Sequence, residues 1–259
     1  MRLQPVPAFD HNVIWLLRDV AGRALVVDPG EAAPVLDALA GGPPPHAILL
    51  THHHNDHIGG VPQLLQHWPS VPVIAPRDEH IASATHRVGD GVQVDAGPWR
   101  FTVIGIPGHT RSHVAFHGHD LDGTGLLFSG DTLFSLGCGR LFEGTPAQMH
   151  ASLQRLASLP GDTLVCCGHE YTMANAIFAT TVDPGNPALR ERAEAVRRLR
   201  DAGLPSLPVT LASERACNPF LRCDDPAVRA AVERHVGHAL DTAVDVFASL
   251  RHWKDGFRG

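Results

Sequence analysis

Thr51-His52-His53-His54-Asn55-Asp56-His57 follows directly on the apolar run Ala47-Ile48-Leu49-Leu50. Four histidines and an aspartate fall within six residues, a costly local composition unless something offsets it. Crowded imidazoles repel one another once protonated and do little to fill a core. A divalent metal removes the difficulty, because neutral imidazole nitrogen and carboxylate oxygen are its preferred ligands. The apolar run reads as a short buried strand, and Gly59-Gly60 marks a turn before the next helix. His52 and His54 are two apart, so in an extended segment they project to the same side. Asp56 and His57 come where the chain turns and face a neighbouring position, so one stretch can serve two metals. A purification tag would sit at a terminus. A solvated polyhistidine loop is the plainer reading, and the missing ligands found elsewhere in the chain weigh against it.

Three more strand ends repeat the pattern of apolar run, turn, then His or Asp. Residues 92–106, interrupted at Asp95-Ala96-Gly97-Pro98, lead into Pro107-Gly108-His109-Thr110. Residues 126–129 run into Gly130-Asp131-Thr132, and residues 164–167 into Gly168-His169-Glu170-Tyr171. Ligands at several strand ends of one sheet can converge on one edge. Upstream, residues 13–17 and 24–27 read as a β-hairpin, ended by Asp28-Pro29-Gly30. Residues 31–40 have helical character before Gly41-Gly42-Pro43-Pro44-Pro45 breaks the chain. Residues 61–67 suit a helix, 71–74 a strand whose proline favours an edge, and 114–117 a further strand. Thr145-Pro146-Ala147-Gln148 has capping-box spacing with proline at the first helical position, which predicts a helix over 146–158. Residues 187–201, 225–236 and 241–255 read as helices. The expected organisation is therefore a mixed α/β domain over 1–172 and a smaller helical domain over 173–259, with no internal repeat.

Composition sets outer limits. The 259 residues are 44% hydrophobic and 19% charged, as in ordinary soluble globular proteins. Lys+Arg number 21 against 27 Asp+Glu, a formal net charge of −6. That balance argues against broad nucleic-acid binding and leaves room for a local basic patch facing an anion. Met1-Arg2-Leu3-Gln4-Pro5-Val6-Pro7 contains no apolar signal region, and no stretch approaches the ~18 apolar residues a membrane span needs. Cys138, Cys166, Cys167, Cys217 and Cys223 are odd in number and lack C-x-x-C spacing, so reduced thiols are expected. The expectation is a cytoplasmic monomer with no nucleic-acid or membrane partner.

Thr51-His52-x-His54-x-Asp56-His57 resembles the T-H-x-H-x-D-H signature of the metallo-β-lactamase fold superfamily, and the three later motifs follow in that superfamily's order. Within it the chain is similar to the glyoxalase II, or hydroxyacylglutathione hydrolase, family over essentially its whole length. The narrowing residues are Pro7-Ala8-Phe9-Asp10, Gly137-Cys138-Gly139-Arg140-Leu141-Phe142-Glu143-Gly144, Asn218-Pro219-Phe220-Leu221-Arg222 and Arg251-x-x-Lys254-Asp255-x-Phe257. The resemblance implies an α/β αββα sandwich followed by a small all-α domain, holding two divalent metals. Zinc is the first expectation, with iron or manganese also compatible with His/Asp ligation. His52, His54 and His109 would bind one metal, Asp56, His57 and His169 the other, and Asp131 would bridge them. Asp56, His57 and Asp131 would thus carry the catalytic site. Leftover histidines such as His46, His86 and His238 are expected on the surface.

The implied reaction is hydrolysis of S-D-lactoylglutathione to D-lactate and glutathione by a metal-bridging hydroxide, the second step of methylglyoxal detoxification. A thioester suits such equipment, since a leaving thiolate with a parent pKa of about 8.5 needs no strong general acid. Arg140, Arg251 and Lys254 match the family's glutathione-binding positions, and Tyr171 can donate a hydroxyl. Phe142 stands where some relatives have a glutathione-binding tyrosine, and Val13 replaces an aromatic residue found in others. A persulfide dioxygenase acting on glutathione persulfide with a single iron is the nearest alternative, and another hydrolase or nuclease of the superfamily the next. The complete second ligand set disfavours the first, and the acidic balance disfavours a nuclease.

Overall fold

The computed structural model describes residues 2–120 and 122–258. Strand β1 (Arg2–Ala8) runs antiparallel to β2 (Asn12–Arg18), and β2 antiparallel to β3 (Ala24–Val27). The β2–β3 hairpin closes where Gly22, at φ +81, donates to Asp19 O, while the Asp19 side chain accepts from the Ala21 and Arg23 amides. Pairing then turns parallel through β4 (Ala47–Leu49), β5 (Val73–Pro76) and β6 (His86–Val88). Parallel neighbours need crossover connections: α1 (Ala33–Ala38) lies in that between β3 and β4, and α2 (Asn55–Ile58) and α3 (Val61–His67) in that between β4 and β5. The resulting six-stranded sheet keeps chain order. Val6, Ile14, Leu16, Val26, Ile48 and Leu50 cluster with the helical residues Val35, Val61 and Leu64. Each such buried side chain contributes roughly 1.5–3 kcal/mol of transfer free energy.

Two details differ from expectation. The strand expected at an edge, residues 71–74, forms as β5 and is paired on both sides, by β4 and β6. Pro72 precedes β5 and contributes only its carbonyl, which accepts from Ile48 N at 2.9 Å. Its missing N–H therefore breaks no ladder. The edge opposite β6 is β1, which carries Pro5 and Pro7. Prolines suit an edge strand, and they also hide its apolar pattern from the sequence. The helix expected over 31–40 forms only as α1.

A second sheet begins with β7 (Gln93–Ala96), β8 (Trp99–Gly105), β9 (Val114–His119) and β10 (Gly125–Gly130), each antiparallel to the next. Its first turn is the interruption at Gly97, which has φ +69. All these elements lie in one compact unit, made of the chain up to Gly105 with Ser112–Gly130 and Cys166–His169. The other unit comprises Ile106–Arg111, Asp131–Val165 and the chain from Glu170 onward.

In that second unit β11 (Leu133–Phe134) and β12 (Gly137–Cys138) make a small hairpin. Leu136 there has φ +58, unusual for a non-glycine residue. A buried carboxylate holds it: Glu214 accepts from Leu136 N at 2.8 Å, Ser135 Oγ at 3.0 Å and Asn218 Nδ2 at 2.9 Å. Burial raises the Glu214 pKa, opposed by those hydrogen bonds. Helix α4 (Pro146–Ala157) starts at the expected capping box, with Thr145 and Gln148 bonded reciprocally. Strand β13 (Leu164–Cys167) pairs its first residues with β14 (Val209–Thr210). Helices α5 (Thr172–Val182), α6 (Pro187–Asp201), α7 (Leu211–Cys217), α8 (Pro226–Val236) and α9 (Ala243–Gly256) complete the unit. Asn186, Asp225 and Thr242 cap α6, α8 and α9. Phe178, Phe220 and Phe247 form an aromatic core. All five cysteines are buried, and among the described residues no helix is long and apolar enough to cross a membrane.

Candidate metal centre

In the first unit the chain leaves β4 through Thr51, and that exit is anchored by Asp28 at the end of β3. Asp28 is buried and sits at φ +51. Its carboxylate accepts from Thr51 N at 2.8 Å, Thr51 Oγ1 at 2.7 Å and His57 Nδ1 at 3.1 Å. Having donated to Asp28, the Thr51 hydroxyl can accept from His52 Nδ1, 3.0 Å away. Both imidazoles are thus oriented through Nδ1, which reserves Nε2 for another partner. The His52 and His54 rings lie 4.7 Å apart, and His113 stacks on His52 at 4.6 Å.

Short helix α2 carries Asp56 and His57, and glycines let it approach the chain after β3. A Cβ on Gly30 would lie 1.9 Å from Asp56 O, and Gly60 N donates to Pro29 O. His169 is brought in by the end of β13. There Val13 N donates to Gly168 O at 2.8 Å, Trp15 Nε1 to Cys167 O at 2.9 Å, and Gly168 N to Gly130 O at 3.0 Å. His57 Nε2 then lies 3.3 Å from His169 Nε2, and Asp56 Oδ2 lies 3.5 Å and 3.4 Å from these two nitrogens. One donor atom from each of Asp56, His57 and His169 falls within 4.8 Å of the others. Two nitrogen donors and a carboxylate oxygen converging from two buried rings and a half-exposed side chain suit a divalent cation. Asn12 Nδ2 orients the carboxylate, donating to Asp56 Oδ2 at 3.0 Å and to Asp56 O at 2.9 Å.

In the second unit His109 and Asp131 stand side by side, with His109 Nε2 3.4 Å from Asp131 Oδ2. His109 Nδ1 is bonded to Arg140 O at 2.8 Å, and the His109 carbonyl accepts from Phe142 N and Glu143 N. The Gly139–Gly144 stretch wraps this histidine closely: a Cβ on Gly139 would meet Asp131 O at 1.9 Å and His109 Nδ1 at 3.3 Å. The seven ligand candidates are therefore distributed as His52, His54, Asp56, His57 and His169 in the first unit, and His109 and Asp131 in the second.

The substrate-binding candidates all belong to the second unit. Arg140 and Arg251 both pair with Asp255, whose Oδ1 is 3.4 Å from Arg140 Nε and 3.0 Å from Arg251 Nη2. Arg251 is buried. It is 5% exposed, donates Nη1 to Cys138 O at 2.8 Å, and lies over the Phe220 ring. Lys254 Nζ donates to Ala174 O at 3.2 Å and lies over Phe178 and Phe257. Burial, then repulsion from Arg251 and Arg140, brings the Lys254 pKa down to about 8. Burial pushes Cys138 up to about 11 despite Arg251 beside it, so this residue stays a thiol. Phe142 is exposed with its ring against His109, and Tyr171 packs edge-on to Phe134.

Asp28, Asn12 and His113 are the residues that sequence reasoning passes over. Asp28 carries the signal that marked Asp131, an aspartate just past an apolar strand, but Asp-Pro-Gly also reads as an ordinary turn. Of the leftover histidines, His86 and His238 are exposed as expected. His46 is half-buried, bonded to Asp19 at 2.7 Å and set against Trp99.

Residues 8–169 match the Metallo-beta-lactamase superfamily, so the chain belongs to that superfamily and has its fold. Residues 170–257 match the hydroxyacylglutathione hydrolase C-terminus. A hydroxyacylglutathione hydrolase of Xanthomonas campestris pv. campestris (strain B100) is 58% identical over 259 residues, covering 100% of both chains. One of Xylella fastidiosa (strain M23) is 57% identical over 257 residues, covering 99% of this chain and 98% of its own. This chain is therefore a member of the hydroxyacylglutathione hydrolase family. Among solved structures, TTHA1623 in a di-iron-bound form is 32% identical, with a TM-score of 0.54 over 64% of this chain and 91% of that one.

Proposed function

We propose that the chain hydrolyses S-D-lactoylglutathione to D-lactate and glutathione, using two divalent metals with zinc as first expectation. His52, His54 and His109 are assigned to one metal, Asp56, His57 and His169 to the second, and Asp131 between them, following the family's motifs. The donor chemistry fits: the Asp56, His57 and His169 atoms converge, and His57 and His109 have Nδ1 already engaged. The di-iron form of TTHA1623 supports a pair of ions. When bound, such ions supply a water of lowered pKa and a Lewis acid for the carbonyl.

The observation that carries the substrate reading is the pairing of Arg140 and Arg251 with Asp255, next to Lys254, where Arg251, Lys254 and Asp255 lie in the segment that matches the hydrolase C-terminus. Two arginines on Asp255, with Lys254 close enough to feel all three charges, leave a surplus of positive charge for glutathione's carboxylates. Arg140, with its side chain 65% exposed, and Lys254 can reach an anion directly. Arg251 has Nη1 and Nη2 committed to Cys138 and Asp255 and acts chiefly by holding the group in place. Tyr171 donates its hydroxyl, and Phe142 offers an apolar face beside His109. The leaving thiolate departs without a protonated side chain, consistent with a thioester and not an amide. Residues 1–172 serve as the catalytic domain and 173–259 as the glutathione-binding domain, in a cytoplasmic monomer.

The test is metal analysis beside hydrolysis of S-D-lactoylglutathione, on parent and Asp131→Ala. Two metals per chain and a fall in both metal and rate in the variant are expected. One metal per chain at full activity refutes the paired site, and an unreactive lactoylglutathione refutes the substrate.

A further inference from the structure

The first unit holds another set of donor atoms that this chemistry leaves unused. His53 sits between His52 and His54 in sequence, and its Nδ1 lies 2.9 Å from Asp78 Oδ2. From the other side, His80 Nδ1 lies 2.8 Å from Asp78 Oδ1. The two rings are 4.8 Å apart and tilted by 32°, and one donor atom from each of the three residues lies within 4.8 Å of the others. Side-chain exposure rises from 8% at Asp78 to 15% at His53 and 75% at His80, so the set opens to solvent at one end.

The turn that presents these groups is well anchored. Asp78 N donates to Pro76 O at 2.8 Å and Ile81 N to Asp78 O at 3.3 Å. Arg87 donates to the carbonyls of Asp78 and Ile81, and Ser112 Oγ donates to Asp78 Oδ2. A carboxylate between two imidazoles, pre-positioned by backbone bonds, loses little entropy on capturing an ion.

We propose that His53, Asp78 and His80 form an additional divalent transition-metal site, distinct from the seven ligands assigned above. Two imidazole nitrogens and one carboxylate oxygen supply three ligands, and solvent completes the shell through the open end. Each ring then carries its proton on Nε2 and presents Nδ1 to the ion. Borderline cations such as zinc, cobalt or nickel match these ligands better than calcium or magnesium. The Arg87 guanidinium beside Asp78 opposes the ion's charge, which makes this an exchangeable site. The site is independent of the hydrolytic reading and stands or falls separately.

The experiment is a Co²⁺ titration of fully metal-loaded protein by calorimetry, comparing parent with His80→Ala, Asp78→Asn and His238→Ala. Resident metal and thioester hydrolysis are measured on each sample before cobalt is added. His80 is exposed, so His80→Ala is expected to keep fold, resident metal and hydrolysis. It should bind one cobalt fewer than the parent, or bind the last one at least about tenfold more weakly, equivalent to ~1.4 kcal/mol. Asp78→Asn should repeat that loss, and His238→Ala, which removes an exposed histidine elsewhere, should match the parent. The proposal is overturned if the parent takes no additional ion, if His80→Ala binds as the parent does, or if His238→Ala loses as much. It is equally overturned if His80→Ala lowers resident metal content. A failure of the hydrolytic reading would appear in the measurements made before cobalt is added.

Discussion

Asp28→Asn tests the orientation of the imidazoles while keeping the side chain's shape, at the cost of one buried negative charge. At φ +51 both aspartate and asparagine are tolerated, whereas alanine would add strain of roughly 1–2 kcal/mol. The parent carboxylate accepts three hydrogen bonds, at 2.7, 2.8 and 3.1 Å, while only 4% exposed. In the variant the amide oxygen can still accept from Thr51 N. The amide NH₂ must then face two donors, Thr51 Oγ1–H and His57 Nδ1–H. The hydroxyl can reverse, but its hydrogen then has no carboxylate to reach. The His57 ring can keep a bond only by moving its proton to Nε2, the nitrogen 3.3 Å from His169 Nε2 and 3.5 Å from Asp56 Oδ2. A protonated nitrogen cannot ligate a metal.

Loss of such an orienting partner costs about 10–100-fold in metal affinity, or about 1.4–2.7 kcal/mol. That agrees with the roughly 1.5–3 kcal/mol attached to a hydrogen bond on a charged group. The assay is competition for Zn²⁺ against a chromogenic chelator, with melting curves in excess chelator to read the fold alone. Metal affinity within about twofold of the parent would refute the reasoning, since the orienting bond would then contribute far less than its role requires. Lower stability in chelator with unchanged affinity would refute it equally, by making Asp28 a purely structural residue.

Lys254, with its pKa brought down to about 8, should lose charge as pH rises through that value, raising KM for lactoylglutathione while kcat holds. Lys254→Arg keeps the charge and should abolish this limb, so a limb that survives in Lys254→Arg refutes the assignment. Stability responds in the opposite sense. The folded pKa lies below the ordinary 10.5, so the unfolded chain binds more protons between about 8 and 10.5, and the parent should gain stability over Lys254→Met as pH rises through that window. A pH-independent difference in denaturant midpoint would contradict this. Gly139→Ala places a Cβ 1.9 Å from Asp131 O, where backbone cannot yield cheaply. Metal content and rate should both fall, with about 1–3 kcal/mol lost from stability, and a variant with the parent's metal content and Tm would refute the close approach.

The elements legible in the sequence are those whose pattern is local. Helix α4 is fixed by a four-residue capping box, α3 by its glycine and proline boundaries, and β13 by an uninterrupted apolar run. Where the pattern is not local, reading fails for identifiable reasons. β1 alternates through two prolines, and only its place at an edge, where the missing N–H groups need no partner, makes it a strand. β5 looks like an edge because Pro72 adjoins it, yet Pro72 offers its carbonyl alone to Ile48. The β11–β12 hairpin is too short to show a period. Leu136 holds its positive φ through Glu214, 78 residues away, which no local window can contain.

The same division governs the site. The ligand candidates sit at short spacings or at strand ends, so residue type and position together make them candidates. What orients them comes from farther away and from ordinary-looking residues. Asp28 is one aspartate in an Asp-Pro-Gly turn until the chain brings Thr51 and His57 to its two oxygens. Asn12 faces Asp56 across 44 residues, and Arg251 reaches the Cys138 carbonyl across 113. Arg251 shows why charge alone misleads. The resemblance makes it a glutathione contact like Lys254 on α9, whereas its contacts bury it under Cys138 and Phe220. A motif therefore identifies which atoms can react, and the long-range bonds decide which nitrogen, oxygen or ammonium each one presents.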